Sequence, residues 1–92
     1  MIINTPGLSY EAQTAKKEKA FDVVFCRTVD GNFVDGITSE ELLNILINRH
    51  TMLASKSNTT ENINALSHMN IALKFVMTGH TKKQMRKKNE RQ

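Results

Sequence analysis

Residues 35–79 read DGITSEELLNILINRHTMLASKSNTTENINALSHMNIALKFVMTG, and residues 80–92 continue HTKKQMRKKNERQ. The first stretch holds two apolar helices joined by a short polar loop. Thr38-Ser39-Glu40-Glu41 is a capping box: the Thr38 hydroxyl can accept from the Glu41 amide, and the Glu41 carboxylate can accept from the Thr38 amide. Ile37 and Leu42 occupy the two staple positions of that helix start. Leu42, Leu43, Ile45, Leu46, Ile47, Met52 and Leu53 then cover far more than the ~100° stripe of a surface helix. Lys56-Ser57-Asn58 ends this helix. Thr59 or Thr60 caps the next, with Glu61 favourably placed at its positive end. Ile63, Leu66, Met69, Leu73 and Val76 line one side of the second helix, and Ile71, Ala72 and Phe75 widen the apolar surface. Gly79 has two readings. It stops the helix as a C′ residue, or the helix continues through it into the basic run at a cost of ~1 kcal/mol. The short loop dictates antiparallel packing. Two helices packed on each other cannot cover apolar residues on more than one side, so the expectation is a mainly α protein, a helical hairpin over residues 37–79 that assembles as a homo-oligomer.

Upstream, Pro6-Gly7 marks a turn, and Ser9 can cap a weak helix over Tyr10–Lys19 with Ala12, Ala15 and Ala20 on one small face. The run FDVVFCRTV at 21–29 alternates like a strand, yet it could equally continue that helix. Residues 1–36 are therefore read as a short N-terminal helix or extended segment. Asp30-Gly31 and Asp35-Gly36 are turn dipeptides bracketing Phe33 and Val34. The whole is expected to be a single domain over 1–92, with the N-terminal segment at 1–36, the hairpin at 37–79 and a basic tail at 80–92.

Ninety-two residues are too few to build a deep core alone. No apolar run approaches the ~18 residues of a membrane span, and MIINTPGLSYEAQ has neither the basic start nor the apolar stretch of a signal peptide. The one cysteine, Cys26, excludes an internal disulfide and supplies no zinc set. A cytoplasmic protein is expected. The net charge of +4 is uneven. Lys82, Lys83, Arg86, Lys87, Lys88 and Arg91, set against Glu90, make the last turns strongly basic over a near-neutral body. That is the pattern of an anion-binding arm or of a solvated helix end.

The chain does not read as an enzyme. His50, His68 and His80 lack metal-ligand spacing with one another or with Cys26, and no Ser/His/acid set, HExxH or phosphate-cradling Gly-rich loop is present. Neither a metal nor a cofactor is expected. Binding residues are more informative. Arg49 stands in the middle of an apolar helix, either snorkelling or paired, or as a phosphate fork at a seam between subunits. Tyr10 beside Lys16, Lys17 and Lys19 offers a stacking ring near ammonium groups. His80, Thr81, Lys82, Lys83 and Arg86 combine imidazole, hydroxyl and cationic donors in one anion-binding cluster.

DGITSEELLNILINRH, the short loop and ENINALSHMNIALKF together resemble the helical-hairpin domain of small phage anti-defence proteins, the anti-CBASS and Thoeris anti-defence cyclic-nucleotide sponges. Their pattern is an N-G-x-T-N-E-x-L-L start, an arginine near the helix middle, an E-N-x-x-A-L stretch and an R-T-x-x-R run. Gly36, Thr38, Glu40, Leu42, Leu43, Arg49, Glu61, Asn62, Ala65 and Leu66 stand in that register, and the likeness covers residues 33–86. The resemblance implies a non-enzymatic hexamer that sequesters cyclic oligonucleotides, such as cyclic GMP-AMP, at subunit interfaces and so keeps CBASS-type effectors inactive in the host cytoplasm. Under it, Asn62 falls on a ligand-facing Asn and Lys83 on the second Arg of R-T-x-x-R. Arg27 falls on an upstream phosphate-binding Arg, and Met52 on a position that packs against the ligand. The chain departs from the pattern at Gly79, where the first Arg would be, at His80, where Thr would be, and in MRKKNERQ, which replaces a Gly-rich end. A lysine does not reproduce an arginine's bidentate fork, so the choice of ligand stays open. Two other readings also stay open: a small basic nucleic-acid-binding protein acting through its tail, and a helical inhibitor docking its apolar face on a host protein.

Overall fold

The computed structural model describes the backbone of residues 1–90 and the side chains through Thr81. The chain is α+β, which overturns the expectation of a mainly α protein. Five antiparallel strands precede the two helices: β1 (Ile2–Thr5), β2 (Ser9–Gln13), β3 (Lys19–Val24), β4 (Arg27–Val29), β5 (Asn32–Val34), α1 (Ser39–Lys56) and α2 (Thr60–Glu90). They divide into two compact units, residues 1–38 and 39–92.

In the first unit β1, β2 and β3 form a meander with β2 at its centre. No helix forms over Tyr10–Lys19. Ser9 opens the central strand, and the alanines that suggested a helical face are scattered: Ala12 lies in β2, Ala15 in the following turn and Ala20 in β3. Turn chemistry on both sides decides the matter. Before β2, the Leu8 amide donates to the Thr5 carbonyl at 2.9 Å. Pro6 presets its own φ and Gly7 takes φ +77°, the arrangement of a type II turn. After β2, the Lys17 amide donates to the Thr14 carbonyl and the Thr14 amide to the Glu18 carbonyl, with Lys17 itself at φ +68°. A helix cannot pass through either turn.

The stretch FDVVFCRTV is extended, as its alternation allowed, but it divides at Phe25-Cys26 into β3 and β4. Asp30 and Gly31 both have positive φ, 53° and 81°, and Val29 pairs with Asn32 across them. This is the two-residue hairpin turn whose twist matches its strands. The second turn dipeptide, Asp35-Gly36, returns the chain alongside β3. There the Ile37 amide donates to the Val24 carbonyl at 2.8 Å and the Cys26 amide donates to the Ile37 carbonyl at 2.9 Å. Gly36 has φ +63°, and a Cβ on it would lie 2.3 Å from the Val24 carbonyl oxygen.

The second unit is the expected antiparallel hairpin. α1 starts directly after Thr38, where the capping pattern placed it, and ends at Lys56. The Asn62 amide donates to the Thr59 hydroxyl at 3.2 Å, so Thr59 is the residue that caps α2. Leu43, Ile47, His50 and Ala54 on α1 share one half-buried stripe. Ala65, Leu66, Met69, Leu73 and Val76 form the matching stripe on α2. Each set follows the three- and four-residue spacing of one helix face. His80 Nδ1 lies 3.9 Å from a Glu40 carboxylate oxygen, which brings the start of α1 beside the later turns of α2. α2 continues through Gly79 to Glu90, so of its two readings the continuing helix is the observed one. No helix among the described residues is long and apolar enough to cross a membrane.

Among the described residues no side chain is buried. The inner stripes of the hairpin and the centre of the meander reach only partial burial.

Candidate functional site

The apolar residues that the hairpin does not cover fall on the opposite side of α1. At about 100° per residue, Leu42, Ile45, Leu46, Arg49, Met52 and Leu53 lie within one broad stripe facing away from the stripe that meets α2. Ile45 is 51% exposed and Met52 58%, with Leu46 at 39% and Leu53 at 38%. Asn44, Asn48, Thr51 and Ser55 fill one of the two flanks between the apolar sides of this helix. Thr51 and Ser55 turn their hydroxyls back onto the Ile47 and Met52 carbonyls, both at 2.7 Å. Arg49 is exposed at the middle of the outer stripe, and among the described residues it has no ion-pair or hydrogen-bond partner. A guanidinium surrounded by aliphatic side chains is poorly hydrated on its flanks and keeps five donors for an anion.

α2 has an outer stripe of its own. Asn64, His68, Ile71 and Phe75 follow one another at intervals of four, three and four residues, and Phe75 is 71% exposed. In the sequence alone Phe75 counts only as extra apolar surface. An exposed phenylalanine in register with an asparagine and a histidine was visible in the spacing, and it offers a flat apolar surface beside two hydrogen-bonding groups.

The other candidate residues are distributed over both units. Tyr10, in β2, accepts a hydrogen bond at its hydroxyl from the Gly7 amide at 2.7 Å and meets Phe25 edge-on at 6.0 Å. It serves its own sheet there. Arg27, in β4, is paired with Asp35 at 2.8 Å across the second hairpin, so an anion would have to displace that carboxylate. Asn62 donates its side-chain amide to the Ser57 carbonyl at 2.8 Å, which ties the interhelical loop to the first turn of α2. Its carbonyl oxygen is still free to accept. The Thr81 hydroxyl donates back to the Met77 carbonyl at 3.0 Å, and His80 stands beside Glu40. Lys82, Lys83 and Arg86 continue α2, and their side chains lie outside the described residues.

Arg49 and Met52 stand one turn apart on α1, which alone makes them neighbours. Asn62 and His80 are separated by roughly 27 Å of helix at 1.5 Å per residue. One copy of the hairpin therefore cannot close both groups around a single small ligand. A site that used both would draw them from different copies.

The first unit also presents an apolar face. Ile3, Tyr10, Ala12, Phe21 and Val23 share one side of the meander by cross-strand pairing, and Ile3 and Phe21 are more than half exposed. Among the described residues no group of His, Cys, Asp and Glu could hold a metal ion. Cys26 is a free, half-buried thiol.

No protein-family model, no curated protein and no solved structure matches this chain.

Proposed function

We propose that this chain is a non-enzymatic, self-assembling binding protein that sequesters a cyclic oligonucleotide second messenger, such as cyclic GMP-AMP, at seams between its copies. In that role it withholds an alarm signal from CBASS-type immune effectors in the cytoplasm of a phage-infected bacterium. The observation that carries the reading is the outer face of α1: an exposed aliphatic stripe with an arginine at its centre that has no partner among the described residues, in a chain where no described side chain is buried. The apolar surface calls for another protein surface, and the arginine calls for an anion at the same place. The resemblance of residues 33–86 to the sponge family supplies the ligand class.

The physical requirements suit such a ligand. A cyclic dinucleotide carries two phosphates and two flat bases, and a symmetric seam presents every cation twice. Each charge-assisted hydrogen bond contributes about 1.5–3 kcal/mol, whereas nanomolar sequestration needs about 12 kcal/mol in all. Several such bonds and base stacking must therefore combine in a preformed pocket that keeps the ordering cost low. Sequestration needs no bond to be made or broken, only an affinity above that of the effector.

One observation favours a second reading. α2 runs without a break into the basic segment, so Lys82–Lys88 extend a helix, and a basic helix suits a nucleic-acid backbone. Titration calorimetry of the full chain with a panel of cyclic di- and trinucleotides, and with a short DNA duplex, separates the two. The sponge reading expects tight binding of one cyclic nucleotide, recovered intact when the protein is denatured. Salt-sensitive duplex binding without cyclic-nucleotide binding replaces it with the nucleic-acid reading. Heat with neither, in a chain that remains a monomer, leaves the helical inhibitor.

A further inference from the structure

One side of α2 combines features that the outer stripe of α1 lacks. At about 100° per residue, His68, Phe75, Gly79, Lys82 and Arg86 fall on one narrow strip of this helix, away from the stripe that meets α1. We infer that this side of α2 binds single-stranded nucleic acid: an unpaired base stacks on Phe75, and the phosphates follow the basic turns beyond it. The inference does not rest on the cyclic-nucleotide reading, which uses the outer face of α1. It also differs from a duplex held by the basic turns alone, because it needs a base out of its pair.

The charge pattern is the first support. From Asn62 to Asn89, α2 contains no Asp or Glu, while Lys74, Lys82, Lys83, Arg86, Lys87 and Lys88 all stand on it. Carboxylates three or four residues from a lysine stabilise an exposed helix, and Lys74, Lys82, Lys83 and Lys88 have none at those distances. Glu40 of α1 lies beside His80, on the side of α2 that faces the hairpin. Because α1 starts at Ser39, α2 runs on past that start to Glu90. The helix thus leaves the hairpin as a basic extension, and the complement of such an extension is a polyanion.

Charge alone would suit any polyanion, and Phe75 narrows the choice. It is 71% exposed, so most of the ring lies open to a flat partner. Every base has a face to stack on such a ring, which makes the contact tolerant of sequence. In a duplex those faces are already stacked, and the ring is left with unpaired bases. His68, two turns earlier, is a second flat side chain at the surface. Gly79, one turn beyond the ring, has nothing within 4 Å of a Cβ position. Glycine is a poor helix former, and no described residue packs against this one. It leaves bare backbone between Phe75 and Lys82, where a sugar-phosphate can come close.

Other occupants fit worse. A membrane surface takes a broad apolar face, whereas this strip offers Ile71 and Phe75 among the exposed Asn64, Ser67 and His68. A second copy of α2 would set the same cations against these, and like charges across an interface repel.

The test uses the full chain. Its sequence has no Trp, so Phe75→Trp places a single reporter on the strip. A short oligo(dT) should bind this variant and quench its emission, and an abasic strand of the same length should bind more weakly and leave the emission unchanged. Phe75→Ala should weaken oligo(dT) binding about tenfold, with helix content unchanged by circular dichroism and with affinity kept in Phe75→Tyr. Gly79→Leu should weaken binding severalfold while raising thermal stability. Lys82→Gln with Arg86→Gln should weaken binding and flatten its salt dependence. Equal affinity for the oligo(dT) and abasic strands, or an unchanged Phe75→Ala variant, overturns the inference. Undiminished binding in Gly79→Leu moves the strand off this strip and overturns its placement. Tighter binding to phosphatidylserine vesicles than to the strand gives the surface to a membrane and overturns it as well. Titration of the same preparations with cyclic GMP-AMP decides the α1 reading separately.

Discussion

Two glycines of this chain make opposite demands. Gly36 sits at φ +63° with the Val24 carbonyl where a Cβ would go, and the next residue, Ile37, donates its amide to the Val24 carbonyl and accepts at its own carbonyl from the Cys26 amide. Gly36→Ala should therefore lower stability by about 2 kcal/mol or more, from strain and from the loss of that bridge, read as a fall in the denaturation midpoint. Gly79 lies inside α2 with nothing within 4 Å of a Cβ position. Gly79→Ala should raise stability by about 1 kcal/mol, and a destabilised variant would mean that another backbone approaches this turn closely in the assembled protein. Arg49 was legible in the sequence because an arginine amid aliphatic residues stands out in any register. The engagement of the other candidates was not legible. Arg27 with Asp35 and Asn62 with Ser57 meet only because a turn folds between them, and turn geometry is set by backbone angles that composition does not reveal.

Among the elements, the start of α1, the loop and the start of α2 were legible because their signals agree: a capping box, a polar loop, a threonine cap and two apolar stripes at helical spacing. The end was not, since α2 runs to Glu90 instead of stopping at residue 79. β2 was missed for a physical reason. Five residues, SYEAQ, contain one strong strand former, and the alanines around them occur at intervals that a helix would also use. What makes them a strand is pairing on both sides with β1 and β3, a non-local effect that a local pattern cannot show. The Asp30-Gly31 turn, by contrast, was legible because both of its positions need positive φ and few residues supply it. At the start of α2, Asn62 closes the loop through its side chain and donates its own amide to Thr59. Asn62→Ala should cost about 1 kcal/mol in thermal unfolding and fray the first turn. Thr59→Ala should cost a similar amount through the lost cap. A change in Asn62→Ala confined to ligand affinity, with stability untouched, would assign this residue to recognition instead.

For the whole molecule the governing fact is that no side chain of the described residues is buried. A chain of this size is at the margin of independent stability even when it forms a core. Here apolar side chains stand exposed on the sheet, on the outer side of α1 and on α2. The surplus foreseen from the two helices was therefore real and was underestimated, since the sheet adds an apolar face that a helical reading of residues 10–19 hid. Because assembly would stabilise the folded state by mass action, the melting temperature should rise with protein concentration. Cyclic GMP-AMP should shift it further and flatten that dependence.

Sedimentation of the purified full chain at low micromolar concentration, with and without cyclic GMP-AMP, tests the central claim most directly. The account predicts a species at a multiple of 10.4 kDa, driven to completion by the ligand. A cooperatively folded species that stays at 10.4 kDa under both conditions would contradict it.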